Sequence, residues 1–204
     1  MIKKHANVVD YSALQVHLDK YAGIDEVGRG PLAGPVVAAA VILGDAADWQ
    51  QITDSKSLSE NKRLQLSDQI KQYALAWSLG RCESHEIDQF NIFNASLLAM
   101  QRAFESLQAT PELVLVDGKY SPVLSVTSFA VIKGDMHVPA IGAASILAKV
   151  ERDQEMIALA SDFPEYGFAQ HKGYPTPAHL SALQSYGACP QHRKSFKPVA
   201  NVIA

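Results

Sequence analysis

Apolar residues fall along this chain in two rhythms, and each marks a kind of element. Lys20–Val27 and Val36–Leu43 are short, mostly apolar runs that predict strands. The Gly28–Pro35 segment between them is rich in Gly and Pro, as a hairpin-like loop should be. Ser57-Leu-Ser-Glu60 fits a capping box. Behind it Leu66, Ile70, Tyr73, Ala74 and Trp77 recur at helical spacing. The end of that pattern merges into Leu75–Cys82, where Leu75, Trp77 and Leu79 alternate and predict a third strand. Asn94 is placed to cap a second helix, with Leu97, Met100, Phe104 and Leu107 on one face. Glu112–Asp117 and Ser128–Lys133 predict strands, and Ile141–Leu159 a long helix. After Pro164 the texture changes to Gly, Pro, His and Tyr, with one short helix near Pro177–Tyr186.

The predicted order is strand, strand, helix, strand, helix, strand, strand, helix, tail. Such mixing implies an α/β domain around one mixed sheet with helices covering it. The change of texture divides a body, residues 1–165, from a segment, residues 166–204, packed on it. An opening hairpin means antiparallel pairing, which disfavours a pure Rossmann fold. Neither G-x-G-x-x-G after a strand nor G-x-x-x-x-G-K-[ST] occurs, and there is no internal repeat or heptad series.

Composition narrows this further. In 204 residues the hydrophobic share is 48% and the charged share 19%, enough for a core and too little charge for disorder. Cys82 and Cys189 lie far apart with no C-x-x-C spacing, so a reducing, cytoplasmic setting is expected. Met-Ile-Lys-Lys-His-Ala-Asn leads into no apolar run, so no signal peptide is expected. No membrane association is expected either, because the longest apolar stretch, Pro31 to Gly44, is too short to span a bilayer. Net charge is −3, but Tyr166 to Ala204 holds Lys172, Arg193, Lys194 and Lys197 and no Asp or Glu. A carboxylate-rich body with a basic tail suits an enzyme that holds metals in one place and an anionic polymer in another. A solvated basic terminus would look the same.

The chemistry concentrates at strand ends. Asp25-Glu26, Asp117 and Asp135 each end a predicted strand or lie just past one, where ligands gather in α/β sheets. Converged carboxylates repel unless cations neutralise them. Two Mg²⁺ or Mn²⁺ ions about 3.5–4 Å apart are the usual arrangement in nucleases. Asp next to Gly is also a common turn choice. Asp25 and Glu26 would face opposite sides of a regular strand, so both reach one site only if the strand bends or Glu26 enters from an adjacent angle. In Gly28-Arg29-Gly30 the glycines allow close backbone approach and the arginine offers a fork of donors to phosphate. Asp54-Ser55-Lys56 places a lysine and a hydroxyl where a phosphate or a helix cap could use them. In His171-Lys172-Gly173-Tyr174-Pro175-Thr176 an aromatic among cations can stack on a sugar or base, or simply pack the tail. His171, His179 and His192 match no metal spacing and are expected to add to the anion-binding surface. No G-x-S-x-G elbow is present.

Together these residues resemble ribonuclease HII, the bacterial type 2 ribonuclease H, from about Ala22 to Val199. The landmarks occur in order: Gly23–Pro35, Asp54–Leu58, Val116–Gly118, Lys133–Asp135, Ala143–Val150 with Arg152-Asp153, His171–Thr176 and His192–Val199. Met136-His137 and Gly142 depart from the family's pattern. The resemblance implies a ribonuclease H-like fold: a five-stranded mixed sheet flanked by helices, with a small C-terminal helical segment. It implies that Asp25, Glu26, Asp117 and Asp135 are catalytic and hold two Mn²⁺ or Mg²⁺ ions. It also implies that Gly28, Arg29, Gly30 and Tyr174 read the ribonucleotide; Ser55 and Lys56 are expected on the substrate from their residue types alone.

The expectation is therefore a monomeric, metal-dependent endoribonuclease acting on RNA/DNA hybrids and on single ribonucleotides embedded in duplex DNA. A non-catalytic hybrid-binding module would have no need to gather like charges. A nuclease or transposase of the same broad fold acting on plain DNA would have no need of a ribonucleotide reader.

Overall fold

A computed structural model describes residues 4–5, 8–11, 17–52 and 55–203. In chain order the elements are β1 (Lys4–His5), β2 (Tyr21–Val27), β3 (Val36–Ile42), α1 (Glu60–Tyr73), β4 (Ala76–Cys82), α2 (Ser84–Glu105), β5 (Leu113–Asp117), β6 (Ser121–Pro122), β7 (Thr127–Val131), α3 (Gly134–His137), α4 (Pro139–Asp162), α5 (Phe168–His171), α6 (Pro177–Tyr186) and α7 (Lys197–Ile203). The centre is a five-stranded mixed sheet ordered β4-β3-β2-β5-β7, while β1 and β6 pair apart from it. β2 and β3 form the predicted antiparallel hairpin, with Gly23 opposite Val41 and Val27 opposite Val37. β5 runs parallel to β2, and β7 parallel to β5. Three neighbouring strands therefore deliver their C-terminal ends to one edge of the sheet.

Alternation along the strands explains the layers. Tyr21, Val37, Ala39, Val41 and Leu115 pack against Ala140–Ala148 of α4 on one face. Ala22, Ile24, Ala38, Ala40, Val114 and Val116 pack against Ala95, Ala99, Met100 and Ala103 of α2 on the other. β3 is buried at every position because both faces are covered. Glycine lets the helices come close. A Cβ on Gly23 would lie 2.2 Å from backbone atoms of Ala140 and Ile141, and one on Gly80 would lie 2.2 Å from Ala99 O.

Several helix ends differ from expectation. The cap of α1 is Ser59, whose side chain accepts from the Lys62 amide, so the box predicted at Ser57–Glu60 does not form. Ser57 instead belongs to a short 3-10 turn, Ser55–Ser57. α1 stops at Tyr73, and Trp77 belongs to β4. α2 starts at Ser84, ten residues before Asn94, where Glu86 reaches back to accept from the Glu83 amide at 2.9 Å. Asn91, at φ 63°, kinks the helix and caps its second half by accepting from the Asn94 amide at 3.1 Å. That first stretch buries only Ser84 and Ile87 and so shows no periodicity.

The segment after Tyr166 folds back over the Gly28–Pro35 loop. The Leu32 amide donates to Gly173 O, Gly34 to Gln191 O and Arg193 to Leu32 O, at 2.8, 2.9 and 2.8 Å. Small apolar clusters around Phe168 and Leu183 anchor it. Cys82 and Cys189 are free and buried. Among the described residues no helix is long and apolar enough to cross a membrane.

Candidate active site

At that edge of the sheet lies a cavity of about 340 Å³, lined by the four carboxylates expected to hold metal and by Gly28, Arg29, Gly30, Ser55, Lys56 and Tyr174, expected to meet the substrate. β2 and the loop after it contribute Asp25, Glu26, Gly28, Arg29 and Gly30; the 3-10 turn contributes Ser55 and Lys56. Asp117 ends β5, Asp135 opens α3, and Tyr174 enters from the tail. Asp54 lies outside the described residues. A larger recess of about 670 Å³, between Val8–Tyr11 and Ile132, holds none of these groups.

Strand pairing explains how distant acids meet. Ile24 pairs with Val116 in the parallel β2–β5 ladder, so Asp25 and Asp117 come one step later on adjacent strands. Asp25 shares the α4 side with Tyr21 and Gly23. Glu26 reaches the site from the other side: it also lines a small recess with Phe93, Ser96 and Leu97 of α2. No regular strand points both residues the same way; being at a strand end lets both reach the opening.

α4 supplies two residues that sequence reasoning did not assign. Ser145 hydrogen-bonds Asp25 and shares a 2.9 Å hydroxyl contact with Ser55. Lys149 pairs with Asp153 at 2.7 Å on the cavity wall. A signal existed: Ser145 and Lys149 are the only polar side chains in Pro139–Val150, four residues apart on one helical face.

Electrostatics mark the site as strained for bare carboxylates. Burial, then the charges of Glu26 and Asp117, push Asp25 well above the usual carboxylate range. Burial lifts Glu26 to about 7 against the opposing pull of Arg29, which lies 3.2 Å away. Asp117 is raised by burial, in part offset by backbone donors and Lys56. Hard carboxylate oxygens in a buried cluster are the donor chemistry of Mg²⁺ or Mn²⁺, and a cation would relieve this repulsion. The donor set therefore fits such an ion. As placed, Asp25 accepts from the Glu26 amide, Glu26 from Arg29 and Asp117 from the Asp135 amide. Among the described residues no group of three or more His, Cys, Asp or Glu side chains stands ready to enclose an ion, so these carboxylates would have to turn to do so.

The histidine expectation is overturned. His179 and His192 are 0% and 1% exposed and cannot form an anion-binding surface. Burial pushes both below the ordinary histidine value, His192 to about 4. Their hydrogen bonds fix neutral tautomers. His179 Nδ1 donates to Tyr174 O at 2.9 Å, so its Nε2 accepts from His192 Nε2 at 3.1 Å. His192 Nδ1 then accepts from the Cys189 amide at 3.1 Å. His171 is partly buried and contacts Tyr166 O at 2.7 Å. These rings hold the backbone of Tyr174, which is 37% exposed over the cavity. Arg193 also leaves the basic surface: it is fully buried, and only Lys194 and Lys197 of the tail's four cations are exposed.

Residues 22–199 match the family described as Ribonuclease HII. Among solved structures the chain is similar to the ribonuclease H2 from Pyrococcus horikoshii OT3, at 25% identity and a TM-score of 0.75, covering 89% of this chain and 96% of that one. It is similar to the RNase HII in the PCNA:RNase HII complex from Archaeoglobus fulgidus, at 25% identity and a TM-score of 0.67, covering 90% and 97%. The Bst-RNase HIII in complex with Mn²⁺ shares the fold at 18% identity and a TM-score of 0.70, covering 93% and 70%.

Proposed function

The chain belongs to the ribonuclease HII family, and we propose that it is a metal-dependent endoribonuclease that cuts 5′ of ribonucleotides, in RNA/DNA hybrids and singly embedded in duplex DNA, leaving 5′-phosphate and 3′-OH ends. One observation carries this reading: four carboxylates and a loop able to read a ribose line the same cavity. Asp25, Glu26, Asp117 and Asp135 would hold Mn²⁺ or Mg²⁺. When bound, such ions supply charge stabilisation and an activated water for in-line attack on phosphorus. The chain's own residues then orient the substrate. Lys56 and Lys149 face the phosphate chain as point charges. Arg29, held by Glu26 in the free protein, becomes available to phosphate once Glu26 turns to a cation. Tyr174 stacks on the sugar–base edge, 3.5 Å from where a Gly30 side chain would begin.

Only the 2′-OH separates RNA from DNA at one nucleotide. Backbone amides at Gly28–Gly30 can donate to it, and a deoxyribose would leave them unpaired. The exposed Lys194 and Lys197 would let residues 166–204 contribute to binding through charge. All the site residues come from one chain, so the reading needs no second copy.

The test is cleavage of a duplex carrying one ribonucleotide, with and without a chelator. A single cut on its 5′ side that the chelator abolishes is expected. Equal cutting of all-DNA duplex, or activity that survives the chelator, would refute the proposal.

A further inference from the structure

Arg152 and Arg193 are both 0% exposed, and neither donates to a carboxylate among the described residues. A buried guanidinium without compensation is strongly destabilising, so its partners show what it is for. Arg193 Nη2 donates to Gly28 O at 2.6 Å, and Nη1 to Arg29 O and Pro31 O at 3.1 and 2.7 Å. Its Nε reaches Gly34 O at 3.0 Å. Arg152 donates to Ala33 O, Pro35 O and Lys172 O at 3.1, 3.0 and 3.0 Å. The two side chains thus collect most of the carbonyls of the Gly28–Pro35 loop. Gly28, at φ +97°, fits this packing because a Cβ there would lie 2.4 Å from Arg152 Nε.

This has a geometric consequence. Among the described residues there is no cis peptide bond, and in a trans unit the carbonyl and the next residue's N–H point in opposite directions. Gly28 O and Arg29 O point into Arg193, so the amides of Arg29 and Gly30 point away from it. Both residues are exposed on the cavity wall, and neither amide has a partner among the described residues.

We propose that Arg193, supported by Arg152, is a positioning residue for ribonucleotide recognition: by drawing the Gly28 and Arg29 carbonyls inward it presents the Arg29 and Gly30 amides as a fixed pair of donors to the ribose 2′-OH. The inference rests on the site reading proposed above. Lysine cannot substitute, because one ammonium cannot span carbonyls set around a planar fork.

The readout is a ratio of affinities. The full chain is titrated, in chelator so that nothing is cut, with a duplex holding one ribonucleotide and with the same duplex in all-DNA form. The wild type is expected to prefer the first by roughly tenfold to a hundredfold, the worth of two hydrogen bonds. Arg193→Lys should bring the ratio close to one while the all-DNA affinity stays within about threefold. A purely structural role would weaken both affinities together, and a folded Arg193→Lys that keeps the wild-type ratio overturns the inference. Wild-type protein with no preference would instead defeat the site reading, and this inference with it. If Arg193→Lys does not fold, Arg152→Lys is measured in the same way. A third measurement needs no variant: the wild-type amide resonances of Arg29 and Gly30 should respond to the ribonucleotide duplex and not to the all-DNA one. Equal response to both overturns the inference.

Discussion

The contact between β2 and α4 sets the geometry of the cavity, and Gly23 is where it can be tested. In Gly23→Ala the new Cβ would stand 2.2 Å from the Ala140 carbonyl carbon and the Ile141 nitrogen, and 2.5 Å from Ala140 O. All three are backbone atoms, so no side chain can swing aside. To restore ordinary contact at 3.4 Å, α4 must retreat by roughly 1.2 Å. Overpacking a core costs about 1–3 kcal/mol, and backbone against backbone on a central strand belongs at the top of that range. The same displacement carries Ser145 and Lys149 away from Asp25, which sits two residues after Gly23. A misplacement of about 1 Å can cost a hundredfold in rate. Gly80→Ala is the control: its Cβ would stand 2.2 Å from Ala99 O and 2.3 Å from Ala103 N, equally tight, but against α2 at the far edge of the sheet. Urea unfolding of both variants should show similar losses. Cleavage of a one-ribonucleotide duplex, assayed well below both melting points, should fall about a hundredfold for Gly23→Ala and only a few-fold for Gly80→Ala. A Gly23→Ala protein within about 1 kcal/mol of wild type and cutting at near its rate would refute the argument, as would equal activity losses in the two variants.

Asp117→Asn keeps shape and removes charge, so the rate should fall roughly a hundredfold to ten-thousandfold with duplex binding retained; near-normal cleavage in Mg²⁺ or Mn²⁺ would remove Asp117 from the mechanism. Raised carboxylates stabilise the fold at low pH and lose that contribution as pH rises through their folded values, about 7 for Glu26. Mn²⁺ favours the ionised forms, so at about a hundredfold excess over its dissociation constant it should raise the Tm by roughly 5–10 °C at pH 8 and clearly less at pH 5.5; equal shifts at both would show that these carboxylates do not bind it. His192 has the opposite sign: its value drops from 6.5 to about 4 on folding, so its contribution is complete above pH 6.5 and is lost as pH falls towards 4, by up to about 3 kcal/mol. Denaturation of His192→Asn against wild type across that window should show a shallower loss in the variant, and parallel curves would assign the acid sensitivity elsewhere.

What the sequence revealed follows from periodicity, and what it hid follows from burial of charge. Trp77 and Leu79 alternate with Ala76, Ser78, Gly80 and Cys82 because β4 turns the first pair to the α4 side and the second set to α2, and the unbroken run in β3 is apolar because both its faces are covered. The acids at strand ends were legible because Asp25, Glu26 and Asp117 each close an apolar run, where packing alone has no use for a charge. Ser84–Phe90 was not legible as helix, since one buried isoleucine makes no period. His179, His192, Arg152 and Arg193 were illegible for a different reason. Side chains of these types usually face water, and nothing in a single sequence distinguishes a solvated arginine from one enclosed by carbonyls. The partners of Arg193 lie more than 150 residues away along the chain, beyond any local pattern.

That enclosure changes the meaning of the basic tail. Read as charge alone, residues 166–204 are an electrostatic handle for a polyanion. In the fold, Arg193 and the two buried histidines are directed at the protein's own backbone: the carbonyls of the Gly28–Pro35 loop and of Tyr174. These are the two walls that would touch a ribose, and Cys189–Arg193 ties both, since His192 reaches Tyr174 through His179 while Arg193 reaches the loop. A reader assembled this way would be held in place before substrate arrives, which would lower the ordering cost of binding. Discrimination of one hydroxyl needs that rigidity, because donors free to turn away from a deoxyribose would find water and forgo the penalty that rejects it.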